Sequence, residues 1–355
     1  MKLTRPRLTT LIWSLVLLGA ARIGVAGAKD QRLDIYFIDV EGGAATLIVT
    51  PDDESVLIDS GYPDNGGRDL NRILHVLRNV AGLKHLDHAV VSHWHLDHYG
   101  NHAALAAQVE VKHFWDRGIP DNLSEDKNFS ERIALYRAAA QNESKPLKAG
   151  DEFELPCKPL PLQVKVVTAS REVIPNDGPA NPFADRHEAK DEDKSDNAAS
   201  ISSLWSYGDF RFLTCGDLTW NVEGALMTPN NPLGQVDLFM VTHHGLPVSN
   251  NPALVLAVDP VVAVMCNGPT KGGHADTLKT LREVKSLQSL YQLHRNVQLD
   301  ADAQTPAEYI ANSEPTVNCS GVWVKASVAA DGKSYTMQIG PDGARKEFAC
   351  RAAAK

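Results

Sequence analysis

The stretch H-A-V-V-S-H-W-H-L-D-H, residues 88–98, decides how this chain is read. Its first half carries Val90 and Val91 and ends at Ser92, which predicts a buried strand over 88–92. Its second half, His93-Trp94-His95-Leu96-Asp97-His98, packs four metal-ligand side chains into six residues. In extended backbone, residues two apart point to the same side, so His93 and His95 can grip one cation. A helix starting just beyond them swings Asp97 and His98 toward a neighbouring position. Imidazole with carboxylate suits zinc, and also manganese or iron. The cluster stands at a strand end, where layered sheet proteins place their sites.

Upstream, residues 33–39, 45–50 and 56–58 read as three short strands, a β-meander that ends in Asp59-Ser60-Gly61. Residues 68–80 carry Leu70, Ile73, Leu74 and Leu77 at helical spacing. Downstream, helices are predicted over 99–108, 129–141 and 275–289. Strands are predicted over 109–115, 162–168, 200–205, 210–214, 236–242, 261–265, 322–328 and 335–339. Strands and helices interleave, and several strands pair like hairpins. That pattern predicts a mixed α/β (α+β) layered domain. Residues 174–197 are poor in apolar side chains and are expected to form a mobile insertion, either a plain solvated loop or a lid.

Hydrophobic residues make up 43% of the 355 and charged residues 22%, which excludes a wholly disordered chain. Residues 1–28 read as an export signal. Lys2, Arg5 and Arg7 precede an apolar run from Leu8 to Leu18, and Ala26-Gly27-Ala28 offers a cleavage site. The formal charge is −9, and removing that segment takes away four basic residues and no acids. So acidic a chain is poorly suited to gripping long nucleic acids. An exported protein can form disulfides. Of its five cysteines, Cys319 and Cys350 are expected to pair, and Cys215 and Cys266 to be buried thiols. No C-x-x-C spacing occurs.

Three further signals lie at predicted strand ends or in loops. Thr214-Cys215-Gly216-Asp217 offers a carboxylate able to bridge two cations. In His243-His244-Gly245 one imidazole would face the site and the other support it. His274 follows Gly272-Gly273.

In this order, Asp59-Ser60-Gly61, His-x-His-x-Asp-His, Gly216-Asp217 and His243-His244-Gly245 resemble the metallo-β-lactamase superfamily from about Leu33 to Leu290. Within it the chain looks most like the soluble hydrolase domain of the ComEC DNA-uptake proteins. The likeness rests on F-I-D-V-E-G-G-A-A-T-L-I at 37–48, T-H-H-G at 242–245 and the glycine-led His274. Glu41-Gly42-Gly43-Ala44 departs from the usual ComEC Gly-Gln-Gly-Asp. The resemblance implies a four-layer αββα sandwich, assigned to 29–312; the strands predicted over 322–328 and 335–339 make 313–355 a small C-terminal β-hairpin cap.

It also implies two divalent metal ions, zinc foremost, with manganese or iron as alternatives. His93 and His95 would hold metal one, and Asp97, His98 and His244 metal two, with Asp217 bridging. His243 is the less favoured ligand of the pair, and Asp59 buttresses the histidine loop. The superfamily's usual third histidine for metal one is missing: Asp196-Asn197-Ala198-Ala199-Ser200 stands in its place, with Asn197 beside the site and His187 in the expected insertion.

The implied chemistry is hydrolysis by activated water, with Asp97 orienting or deprotonating the water and His274 contacting substrate or protonating the leaving group. A phosphoester or phosphodiester, small or envelope-derived, fits the resemblance. An amide, lactam or lactone is the alternative, and a non-catalytic metal-binding module a third reading. The expected location is secreted or periplasmic, with no stable membrane span after cleavage of the signal. Nothing in the sequence assigns an oligomeric state.

Overall fold

The computed structural model describes residues 27, 29–63, 65–155, 157–314 and 319–352. The expected export signal, 1–28, lies outside them apart from Gly27. The first half of the chain lays down β1 (Leu33–Phe37), β2 (Thr46–Val49), β3 (Ser55–Ile58), β4 (His85–Val90), β5 (Glu110–Asp116) and β6 (Lys145–Pro146). Next come β7 (Glu152–Leu155), β8 (Leu162–Ala169), β9 (Glu172–Val173), β10 (Ser202–Tyr207), β11 (Phe210–Thr214), β12 (Leu238–Met240), β13 (Val262–Met265), β14 (Ser289–His294) and β15 (Ile310–Asn312). The chain closes with β16 (Val324–Val328), β17 (Ser334–Ile339) and β18 (Lys346–Ala349).

These strands form two nine-stranded sheets. The first runs β18-β17-β16-β1-β2-β3-β4-β5-β6. The second runs β15-β14-β13-β12-β11-β10-β8-β7, with β9 on β8. Each sheet is antiparallel in one part and parallel in the other: β3 to β6 are parallel, as are β11 to β15.

The two sheets face each other across one core. Leu33, Ile35 and Phe37 alternate along β1 into it and meet Val164, Phe212 and Leu238 of the other sheet. Burying one such side chain fully contributes about 1.5–3 kcal/mol. Tyr36 and Ile38 point the other way, against Ile73, Leu74 and Leu77. Those three lie in and just beyond α1 (Arg68–His75), whose last turn widens over Val76–Val80. Two short helices, α2 (Leu96–Tyr99) and α3 (His102–Ala106), and the longer α4 (Phe129–Ala139) complete that outer layer. The other outer layer is α5 (Trp220–Met227), α6 (Pro252–Val258) and α7 (Ala275–Arg282), packed through Leu226, Leu254, Val258, Leu278 and Leu281. The order is helix, sheet, sheet, helix, the four-layer αββα sandwich of the metallo-β-lactamase fold. Among the described residues no helix is long and apolar enough to cross a membrane.

Three expectations need correction. The C-terminal residues 313–355 do more than form a hairpin cap: β16, β17 and β18 extend the first sheet beyond β1, and Val324, Ala326, Tyr335 and Phe348 enter the inter-sheet core. Cys319 and Cys350 are both free thiols. The strand register explains this. Val324 pairs with Ile339 at one end of β16, whereas Ala349 pairs with Ser334 at the other. Cys319 and Cys350 therefore lie at opposite ends of the strands, too far apart for a disulfide. Residues 174–197, expected as a mobile insertion, hold little regular structure but are tied down. The Asn176 amide donates to Leu226 O and the Asn181 amide to Met227 O and Ala253 O.

Candidate metal centre

The site forms where β3, β4, β11 and β12 end. Asp59 follows β3 in a left-handed conformation (φ 61°). Its carboxylate accepts from Ser92 N at 2.8 Å, Ser92 Oγ at 2.7 Å and His98 Nδ1 at 2.8 Å. The loop after β4 carries His93 and His95, and α2 starts at Leu96, so Asp97 and His98 sit in its first turn. A second carboxylate grips the same loop from elsewhere in the chain: Asp196 accepts from Trp94 N at 2.6 Å and is clamped by Arg117. Gly43 explains the glycines after Glu41, since a Cβ there would lie 2.6 Å from Asp97 O.

Asp217 is the focus. Its Oδ2 lies 3.2 Å from His98 Nε2, 3.3 Å from His243 Nε2, 3.3 Å from His244 Nε2 and 4.0 Å from His93 Nε2. Asp97 Oδ2 lies 3.3 Å from His98 Nε2 and 3.4 Å from His244 Nε2. Donor atoms of Asp97, His98, Asp217 and His244 all fall within 4.8 Å of one another, and all four residues are buried.

The far side of each imidazole is tied. His98 Nδ1 donates to Asp59, and His244 Nδ1 donates to Cys266 O at 3.0 Å. Ser249 Oγ donates to Leu218 O, so it accepts from His243 Nδ1. Ser92 Oγ donates to Asp59, so it accepts from His93 Nδ1 at 3.1 Å. Each ring thus turns Nε2 inward, the arrangement of metal-ligating histidines whose other nitrogen is held by a neighbour. His93, His98 and His244 Nε2 are buried with no hydrogen-bond partner. Buried polar atoms are normally satisfied, so three orphaned nitrogens around two carboxylates fit divalent cations.

Charge supports the same conclusion. Burial works against ionised Asp217 and Asp97, yet the surrounding imidazoles, and Lys271 at Asp97, hold both well below the usual carboxylate range. Burial also opposes an imidazolium at His98, but Asp217, Asp97 and Asp59 raise it well above its ordinary value. Burial and the neighbouring His98 push His93 well down, and burial takes His243 down to about 4. The carboxylates gather positive charge, and a divalent cation supplies it directly.

The remaining expected residues divide. His95 sits beside His93, ring centroids 4.7 Å apart, but its Nε2 faces Glu125 at 3.3 Å. His243 lies nearer the focus than its supporting role implied. Asn197 stands at its Nε2, 3.5 Å away, where the third histidine of metal one was sought. His274 is not gathered into the cluster. Its side chain is 48% exposed and its Nδ1 accepts from Asp276 N to cap α7.

Sequence reasoning missed Asp196, Arg117 and Lys271. Lys271 is bonded to Asp97 Oδ2 and stands 3.4 Å from the Tyr62 hydroxyl. Burial disfavours its ammonium, but Asp97 and Asp217 keep it charged. A lysine three residues before a glycine-led histidine was the sole local signal for it.

A metallo-beta-lactamase superfamily profile matches residues 38–166. No curated protein matches the chain. Among solved structures, the metallo-β-lactamase fold protein YhfI from Bacillus subtilis shares 13% identity, covering 74% of this chain and 96% of that one, with a TM-score of 0.44. CmlA, a diiron β-hydroxylase from Streptomyces venezuelae, shares 15% identity over 72% of this chain and 52% of that one, with a TM-score of 0.42. MEM-A1, a subclass B3 metallo-β-lactamase isolated from a soil metagenome library, shares 14% over 74% and 77%, with a TM-score of 0.33. The profile match spans the whole His93–His98 motif, and the chain is a metallohydrolase of the metallo-β-lactamase fold with a candidate His/Asp metal centre.

Proposed function

We propose that this protein hydrolyses a phosphoester or phosphodiester with two divalent cations, zinc foremost, and that it belongs near the ComEC-like branch. The observation that carries the reading is the convergence of three imidazole Nε2 atoms on Asp217 Oδ2 within 3.3 Å. Asp97, His98, His244 and Asp217 would hold one cation. His93, with His95, His243 or Asn197, would hold the other across Asp217. Such cations supply Lewis acidity and bring the pKa of water from 15.7 to about 7.

The protein's own groups do the rest. Asp59 and Asp196 fix the histidine loop from two directions. The Asp97 carboxylate accepts a hydrogen bond from the attacking water and orients it. Lys271, with Tyr62 beside it, offers an ammonium at the rim for an anionic oxygen of the substrate. That cation favours a phosphoester over a neutral amide, lactam or lactone. The acidic chain favours a small or envelope-derived substrate over long nucleic acid, and the expected export signal supports a location outside the cytoplasm.

Metal-loaded protein comprising residues 29–355 should turn over bis-p-nitrophenyl phosphate. Absence of phosphoester turnover in protein with confirmed metal refutes the reading. Cleavage of nitrocefin or a lactone in its place transfers the site to the amide and ester class.

A further inference from the structure

A second group of ligand-type side chains lies outside the catalytic cluster. Asp39 follows β1, His294 ends β14, and Cys319 precedes β16. Donor atoms of Asp39, Glu41, His294 and Cys319 lie within 4.8 Å of one another. His294 Nε2 is 2.7 Å from Asp39 Oδ1. Cys319 Sγ is 3.5 Å from Asp39 Oδ2 and 3.9 Å from His294 Nε2. The Asp39 and His294 side chains are fully buried, and Cys319 is half-buried.

We propose that Asp39, His294 and Cys319 form a second, structural metal site for a zinc-class divalent cation. Mixed thiolate, imidazole and carboxylate donors are the set that zinc takes. Tetrahedral zinc, with bonds of about 2.0–2.3 Å, sets its donors about 3.3–3.7 Å apart. Cys319 Sγ already stands near that range from Asp39 Oδ2 (3.5 Å) and from His294 Nε2 (3.9 Å), while His294 Nε2, 2.7 Å from Asp39 Oδ1, must move off that oxygen by about 0.7 Å.

Glu41 is spoken for by Arg68 at 2.8 Å and Arg72 at 3.0 Å. Arg72 also donates to Asp39 Oδ2 and to Cys319 O, so it aims the two ligand segments at each other. Three protein donors leave the fourth tetrahedral position to solvent. Ligands of this kind bind deprotonated. One divalent cation enters as the Cys319 thiol proton and the His294 Nε2 proton leave, and the net charge of the cluster is unchanged. The cation would tie together three segments far apart in sequence. One of them runs on through Gly43, which packs under Asp97.

The thiolate makes this site separately visible, because the catalytic cluster contains no sulfur donor. Full-length protein, stripped with chelator and reloaded with cobalt(II), should show a thiolate-to-cobalt charge-transfer band in the near ultraviolet. Cys319→Ser should lose the band and one equivalent of metal, whereas Asp217→Asn should keep the band. Cobalt should also slow alkylation of Cys319 in the unmodified protein at least tenfold, with Cys350 as internal reference, a readout that needs no variant to fold. No band, a band that survives in Cys319→Ser, or unchanged alkylation of Cys319 overturns the proposal and leaves a hydrogen-bonded strut.

Discussion

Glu223 gives the sharpest quantitative test of this structure. It sits in α5 with no exposure to solvent. Its Oε2 accepts from Asn251 N at 2.7 Å, and its Oε1 has no hydrogen-bond partner. Burial, the dominant influence, pushes its carboxyl up from 4.5 to about 7. The folded protein therefore holds this proton more tightly than the unfolded chain does. Below about pH 4.5 both states are protonated and the group is neutral in the balance. Between about 4.5 and 7 the unfolded carboxyl ionises while the folded one resists, so stability falls as pH rises. The full cost is about 3.4 kcal/mol, at 1.36 kcal/mol for each pH unit between the two values. Glu223→Gln keeps an oxygen for Asn251 N and cannot ionise. Urea unfolding at a series of pH values should show the variant gaining about 2–4 kcal/mol on the parent between pH 4.5 and 8. The reasoning fails if the difference between the two proteins is flat across that range.

Asp59→Asn replaces the acceptor of His98 Nδ1 and should weaken metal binding about 10–100-fold in competition with a chromophoric chelator; an unchanged affinity would show that the Asp59 contact does not tune the site. Asp97→Ala should abolish turnover while circular dichroism stays native, and retained activity would remove Asp97 from the mechanism. Lys271→Met should raise KM for an anionic phosphoester about tenfold, the scale of one lost charge-assisted hydrogen bond, and leave a neutral ester unaffected; equal losses on both substrates would argue that Lys271 only positions Asp97. Gly272→Ala puts a Cβ 2.1 Å from His244 O at a φ of 78°, and should lower the melting temperature and the metal affinity together.

The catalytic cluster was legible because so much of it is local. Four ligand types in six residues need no tertiary information, and the strands ending at Thr214 and Met240 pointed to Asp217 and His244. What stayed hidden depends on distant contacts. Asp196 acquires meaning only through Trp94, 102 positions away. Lys271 gains its role only when its loop folds back 174 positions to Asp97. The helix α6, Pro-Ala-Leu-Val-Leu-Ala-Val, gave no helical periodicity because six of its seven residues are buried. Its start is nevertheless marked, since Asn251 caps it through Ala253 N and Pro252 opens it. The strand β14 was overlooked because the helix expected over 275–289 stops at Arg282, and with it went His294. His274 shows the limit of a local signal: a glycine-led histidine before a helix serves a cap as readily as a ligand.

Ligand geometry here is set by strained backbone. Asp59, His243 and His244 have φ of 61°, 53° and 55°, in the left-handed region that costs a non-glycine residue about 1–2 kcal/mol. Gly216, Gly245, Gly272 and Gly273 around them share that sign of φ. The strain lies where β3, β11 and β12 end, because each chain must reverse within a residue or two for its side chain to face across the gap. Hydrogen bonds lock the reversals: Asp59 N to Val90 O, His243 N to Gly216 O, and Gly273 N to His244 O. Two packed sheets behind these bonds absorb the cost. A donor set held in this way by backbone and neighbouring hydrogen bonds has little freedom to lose on binding a cation, and that restraint separates a metal centre from a surface patch of histidines.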